Sequence, residues 1–142
     1  MSSAALQTAV YGVLTGDSTL LALLSSSWGV DAVFSDVPSD QYAEDDAFYP
    51  FVSFGPSTKT RFDTKTNIGG NETMQINVWT RSNDYVEAKT VAARIETLLH
   101  RQDLTITGAT HVLTHVESIE TTIDPDGHTR RALMQLRIIY YT

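Results

Sequence analysis

Over residues 73–80 the apolar side chains of Met74, Ile76 and Val78 alternate with Thr73, Gln75 and Asn77. A period of two puts one apolar face on a sheet, so this stretch predicts a strand. Trp79 breaks the alternation and falls on the polar face, where its indole N–H needs water or a partner. After Arg81-Ser82-Asn83 the period changes. Ala88, Val91, Ala92, Ile95, Leu98 and Leu99 follow the i, i+3, i+4, i+7 spacing of an amphipathic helix that stops near His100 and Arg101. Asp84 with Glu87 has the form of a capping box, and Ser82 and Asn83 compete as N-caps.

Upstream, Leu6, Ala9, Val10, Val13 and Leu14 form the stripe of a first helix, capped by Ser2 or Ser3 and stopped at Thr15-Gly16. Asp17 or Ser18 caps a short second helix over 19–24, whose Leu20, Leu21, Leu23 and Leu24 imply burial on more than one side, in its own core or against another subunit. Residues 25–29 read as a turn and 31–37 as a short strand closed by Pro38. Residues 38–49 have no sustained period and carry Asp40, Glu44, Asp45 and Asp46, which predicts an exposed acidic loop. Residues 50–55 read as a strand ended by Gly55. The next stretch, 56–71, is rich in Ser, Thr, Lys, Asn and Gly and reads as a second long loop or a flexible hairpin arm, locally basic through Lys59, Arg61 and Lys65.

Downstream, 104–107 alternates like a short strand, Gly108-Ala109 is a turn, and 110–123 is a longer extended run. Asp124-Pro125-Asp126-Gly127 fits a type I turn with glycine supplying a positive φ, a strong hairpin signal. In the last strand, 129–141, Ala132, Met134, Leu136, Ile138 and Tyr140 alternate with Arg131, Leu133, Gln135, Arg137, Ile139 and Tyr141. About twelve residues would extend about 40 Å, twice the usual strand, so part of this long C-terminal β-hairpin is expected to project beyond the subunit's own sheet. The predicted class is α+β.

A chain of 142 residues fits one domain, 1–142, with enough surface buried for a core without staples. It has no cysteine, which excludes disulfides, thiolate metal sites and a cysteine nucleophile. No apolar run reaches the eighteen or so residues of a bilayer span and no signal peptide is evident, so a soluble, unsecreted chain is expected, with no membrane partner. The net charge of −7 sits entirely in residues 1–58, which hold seven acids and no Lys or Arg; the remainder balances ten bases against ten acids. An N-terminal third without cations argues against tight phosphate-backbone binding there.

Residue-level chemistry points to no enzyme. His111 and His115 as a metal pair would lie about 13 Å apart along a strand, too far to share an ion. Asp124, Asp126 and His128 are explained by turn chemistry, and Asp45-Asp46 by a solvated surface. Gly69-Gly70-Asn71 lacks the lysine and hydroxyl of a phosphate loop, and Arg130-Arg131 is too small a basic patch for nucleic acid. No cofactor is expected.

Four stretches taken together, LQTAVYGVLTGD-STLLALL (6–24), PFVSFG (50–55), INVWTRSNDYVEAKTVAARIETLLH (76–100) and DPDGHTRRALMQLRI (124–138), run in the order of the tail terminator, or tail completion, family of long-tailed bacteriophages and gene transfer agents. The chain resembles that family over nearly its whole length, apart from a longer acidic insertion at 38–49. The resemblance implies helices packed on one face of a mainly antiparallel sheet and a homo-hexameric ring. Such a ring would sit at the head-proximal end of the tail tube, halt its polymerisation and meet the head-tail connector or neck proteins, with DNA passing through without specific binding. It implies a place in the virion, after assembly in the host cytoplasm, and brings no catalytic residues. A head completion or neck connector protein is the alternative in the same class, and a small α+β ligand-binding regulatory domain, with an apolar pocket, is the alternative in another.

A ring of heterologous contacts needs two different complementary patches per subunit. Lys59, Arg61 and Lys65 on one side and Asp40, Glu44, Asp45 and Asp46 on the other are the candidates, the acids having an alternative use in lining a lumen that DNA does not stick to. Trp79, Arg81, Arg130 and Arg131 are further candidates for a subunit or tube interface.

Overall fold

The computed structural model describes residues 3–36 and 45–142. Ser2, and the part of the acidic loop that holds Asp40 and Glu44, lie outside them. Three α-helices, α1 (Ser3–Thr15), α2 (Ser18–Leu23) and α3 (Val86–Leu99), accompany five strands: β1 (Val33–Phe34), β2 (Phe51–Arg61), β3 (Gly69–Thr80), β4 (Thr110–Ile123) and β5 (Arg130–Tyr141). The sheet order is β1-β2-β3-β5-β4, antiparallel throughout except for the short parallel pairing of β1 on β2. The expected α+β class with a mainly antiparallel sheet and a C-terminal hairpin is what forms.

The core follows the periodicities. Met74, Ile76 and Val78 from β3 and Ala132, Met134, Leu136, Ile138 and Tyr140 from β5 are all buried on one face of the sheet, against Ala88, Val91, Ala92, Ile95 and Leu99 of α3 and Leu6, Val10 and Leu14 of α1. Pairing β5 between β3 and β4 removes its backbone groups from water on both sides, which is why the most regularly alternating strand is central.

Several expectations are corrected. Of the two readings of residues 56–71, the hairpin arm forms and the long loop does not. β2 passes a bulge at Gly55-Pro56, between Phe54 and Ser57, and continues to Arg61, paired residue by residue with β3 as far as Gly70. Proline lacks a ladder N–H, so the bulge lets the strand go on past it. This hairpin arm also explains why the C-terminal hairpin does not project: Gly69–Thr80 pairs with the whole of β5, from Tyr141 to Arg130. Residues 104–107 form no strand: 104–106 are irregular and Thr107 lies in a turn, although Leu104 and Ile106 are buried. The strand expected over 31–37 is reduced to Val33–Phe34. At α3 the capping box is absent: Tyr85 is the N-cap without a side-chain bond, and Asp84 Oδ1 accepts from Val86 N at 3.0 Å. Ser3 opens α1 as its first residue and turns its hydroxyl to Glu72.

Candidate functional site

The candidate interface residues separate into two places at opposite ends of the sheet. Lys59, Arg61 and Lys65 are exposed on the β2–β3 arm, whose tip also exposes Phe62 and Ile68. Arg61 pairs with Asp63 at 3.4 Å with both side chains in solvent, a contact of little energetic weight. Lys59 lies level with Glu72 in the ladder, its Nζ 6.0 Å from the Tyr140 ring. Gly69 closes the tip: a Cβ there would stand 2.4 Å from the Phe62 carbonyl oxygen, so only glycine fits beneath that turn.

Trp79, Arg81, Arg130 and Arg131 sit about 30 Å along the strands from Gly70, at the other end. Here they meet the aromatic cluster that the sequence did not reveal as a unit: Trp28 packs edge-on to Phe34, Phe48 and Phe51, and Phe51 stacks on Trp79 at 6.3 Å. The indole of Trp79 finds its partner in Ser53 Oγ at 3.0 Å. Arg131 lies over Trp79 at 5.3 Å and Arg130 over Tyr85 at 5.2 Å, while Arg130 Nη1 also donates to the Ser82 carbonyl.

Arg81 is the centre of a clasp. Its side chain is only 9% exposed; Nη1 donates to Asp46 Oδ1 at 3.1 Å, Nε to Thr129 Oγ1 at 3.1 Å, and the guanidinium covers Tyr49 at 4.8 Å. His128 Nε2 reaches the same Asp46 carboxylate at 3.2 Å. Hydrogen bonding from Arg81, then His128, holds Asp46 below the usual carboxylate range. Asp126, in the β4–β5 turn, accepts from Thr129 N, His128 N and Thr129 Oγ1, and these bonds bring its pKa to about 2. The described end of the acidic loop is thus tied to the β4–β5 turn: Asp46 is spent on the clasp, and Asp45 caps the 3-10 turn Asp46–Phe48 through Ala47 N. Neither approaches the basic arm of its own chain.

The histidines also divide. A bulge between His111 and Leu113 puts His111 level with Tyr140 and His115 level with Arg137, on opposite faces rather than on one. Burial lowers the pKa of His111. His115 instead packs its ring 5.2 Å from His100, a pairing across the sheet edge that spacing along one strand could not show. The hollow between α1 and residues 103–107, about 620 Å³, is open to solvent and lined by Ala5, Ala9, Gly12 and Asp103 among others. It offers no enclosed apolar chamber of the kind a small-ligand domain needs.

Against known proteins, a family model described as tail completion protein gp17 matches residues 8–141. The tail completion protein gp17 of Bacillus phage SPP1 is 30% identical over 89 residues, 63% of this chain and 66% of that protein, so the match spans just under two thirds of the relative's length. Among solved structures, a chain of the virion of a native gene transfer agent particle superposes with a TM-score of 0.82 at 27% identity, covering 99% of this chain and 97% of the other. The structure of the bacteriophage SPP1 gp17 protein gives a TM-score of 0.59 at 25% identity, over 96% of this chain and 88% of that one.

Proposed function

This chain belongs to the tail completion protein gp17 family, and from that premise we infer that it is a structural protein of a phage-type tail, a single domain over 1–142 that assembles as a homo-hexameric ring. The ring caps the head-proximal end of the tail tube, ends tube polymerisation and presents its other side to the head-tail connector. DNA passes through it without specific contacts, and the protein is not an enzyme. The observation that carries the reading is the end-to-end likeness to a chain of a gene transfer agent virion, 99% of one chain on 97% of the other. Near-complete coverage in both directions favours a whole structural subunit over a shared fragment.

The surface supports a heterologous assembly. Lys59, Arg61 and Lys65 stand exposed on the arm at one end of the sheet, while Asp45 and Asp46 stand at the clasp at the other, so a contact between these two groups would have to join different copies. The experiment is to mix the purified protein with tail tubes and image them, measuring native mass in parallel. The expected result is density at one end of each tube and a six-subunit mass. A monomer or dimer that leaves both tube ends bare overturns the reading, and density on the vertex of filled heads instead of on tubes replaces it with the neck-protein reading.

A further inference from the structure

On β2 and on β4, one stretch of strand edge each carries neither a strand nor another backbone cover among the described residues. β1 covers β2 only at Val52 and Ser53, which leaves the outer side of 57–61 open. On the opposite side of the sheet β4 is the last strand, and its first half is covered: Arg101 N donates to Thr114 O at 2.7 Å and Val116 N to His100 Nδ1 at 3.0 Å. From Ser118 to Ile123 no such bond is made among the described residues. Open edges are templates for a further strand.

The two edges are complementary. The β2 stretch carries Lys59 and Arg61. The β4 stretch carries Glu120, is flanked by Glu117, and borders a groove of about 380 Å³ lined by Ala92, Ala93, Glu96, Ile119, Thr121 and Lys89. Ile119 and Ile123 remain 38% and 43% exposed along it, apolar surface waiting for cover. In the ladder Ser57, Lys59 and Arg61 share the helix-side face with Met74 and Glu72, and Ile119, Thr121 and Ile123 share it with Met134 and Ala132. A strand added at β4 would therefore turn Lys59 and Arg61 toward Glu96 of α3, and its threonines, Thr58 and Thr60, toward Glu120.

We propose that a second copy of this chain fills the β4 edge with residues 57–61 of its β2, so that one sheet runs on from subunit to subunit. The inference rests on the ring reading above and names its contact. β2 and β4 run in opposite directions within the sheet, so copies related by rotation about a ring axis pair antiparallel. Matching the faces places Glu120 opposite Thr58 or Thr60, which offsets the copies by four to six residues along the strand, about 13–20 Å. The repeat β2-β3-β5-β4 is about 19 Å wide at the spacing of neighbouring strands. Offset and width together give a strand tilt of about 35–45°, the range in which closed sheets balance their shear. The same offset carries β1 above the neighbour's β4 and leaves the 100–101 cover below the neighbour's β2. Each edge is blocked only in the half that the offset does not use.

The chain has no cysteine, so a pair can report the contact. Thr60→Cys with Glu120→Cys, or Thr58→Cys with Glu120→Cys for the other register, is expected to give a ladder of disulfide-linked oligomers under oxidation, which neither single variant gives. Lys59→Glu with Arg61→Glu is expected to weaken assembly by roughly tenfold or more, and adding Glu96→Lys with Glu120→Lys to restore it. Circular dichroism of each variant checks that the subunit still folds. A ring of native mass in which neither cysteine pair cross-links overturns the edge contact and leaves the ring reading standing. No ring, alone or with tubes, removes the ring reading and the second copy with it.

Discussion

Arg94, in the middle of α3, grips Asp17 at the start of α2 with two parallel hydrogen bonds, Nε to Oδ2 at 2.8 Å and Nη2 to Oδ1 at 2.7 Å. The same carboxylate caps α2 by accepting from Leu20 N at 2.8 Å. One side chain therefore ends a helix and pins it to another, and the Arg94 hydrogen bonds hold Asp17 below the usual carboxylate range. Removing either partner leaves the other without its ligand, so Asp17→Ala and Arg94→Ala should each lower Tm by several degrees. The double variant should lose less than the sum. A thermal double-mutant cycle checks this, and additive losses would mean that the pair is not coupled.

The tip of the basic arm depends on Gly69. A methyl group there would meet the Phe62 carbonyl oxygen at 2.4 Å and its ring at 2.8 Å, and a backbone oxygen cannot swing aside. Gly69→Ala is expected to cost about 1–3 kcal/mol, the scale of overpacking. Hydrogen exchange should speed up over 61–69 while the core of β3 and β5 stays protected. Unchanged exchange at Phe62, whose N–H bonds Gly69 O at 3.2 Å, would show that the tip has another way to close.

The clasp sets an acid limb. Asp126 and Asp46 both titrate below an ordinary aspartate, Asp126 at about 2, the first through backbone bonds from Thr129 and His128, the second through Arg81. A depressed carboxylate stabilises the fold fully above its unfolded pKa of 3.8, and that contribution is lost as pH falls from there toward 2. Asp126→Asn should flatten this part of the stability curve. Denaturant midpoints measured between pH 5 and 2 test it: curves of the same shape in variant and parent would refute the assignment to Asp126.

The periodic elements were legible because one physical requirement, burial of a single face, wrote them: the α3 stripe from Ala88 to Leu99, apart from the half-buried Leu98, and the β5 alternation from Ala132 to Tyr140 are the buried residues observed. The second half of β2 was not, because Ser57 to Arg61 are exposed on both faces. There the strand is held by its ladder alone, and a ladder leaves no hydrophobic trace. Leu104 and Ile106 misled in the opposite direction, since alternate residues can be buried without any strand pairing. Among the candidate interface residues, the exposure of Lys59, Arg61 and Lys65 could be read from composition, but the inward turn of Arg81 could not. Its partners Asp46 and Thr129 lie 35 and 48 residues away. Asp17 was visible as a cap, whereas Arg94, 77 residues on, carried no local sign of the pairing.

Glu72 gives the last prediction. It stands on the apolar face of β3, fully buried, where Ser3 Oγ donates to Oε1 at 2.7 Å and the Tyr140 hydroxyl donates to the same oxygen at 3.2 Å; Oε2 has no partner among the described residues. Gly70 makes room for the arrangement, since a Cβ there would lie 2.8 Å from the Tyr140 ring. Burial, reinforced by the neighbouring Glu72 charge, pushes the Tyr140 phenol up to about 12. A raised tyrosine contributes stability that is complete below its unfolded pKa of 10.0 and disappears as pH climbs toward 12. An absorbance titration should therefore show a phenolate step near 12 that Tyr140→Phe removes. Glu72→Gln, which takes away the charge and keeps the shape, should move that step down. If it stays where it was in Glu72→Gln, desolvation alone holds the phenol, and Glu72 serves only to bind the start of α1.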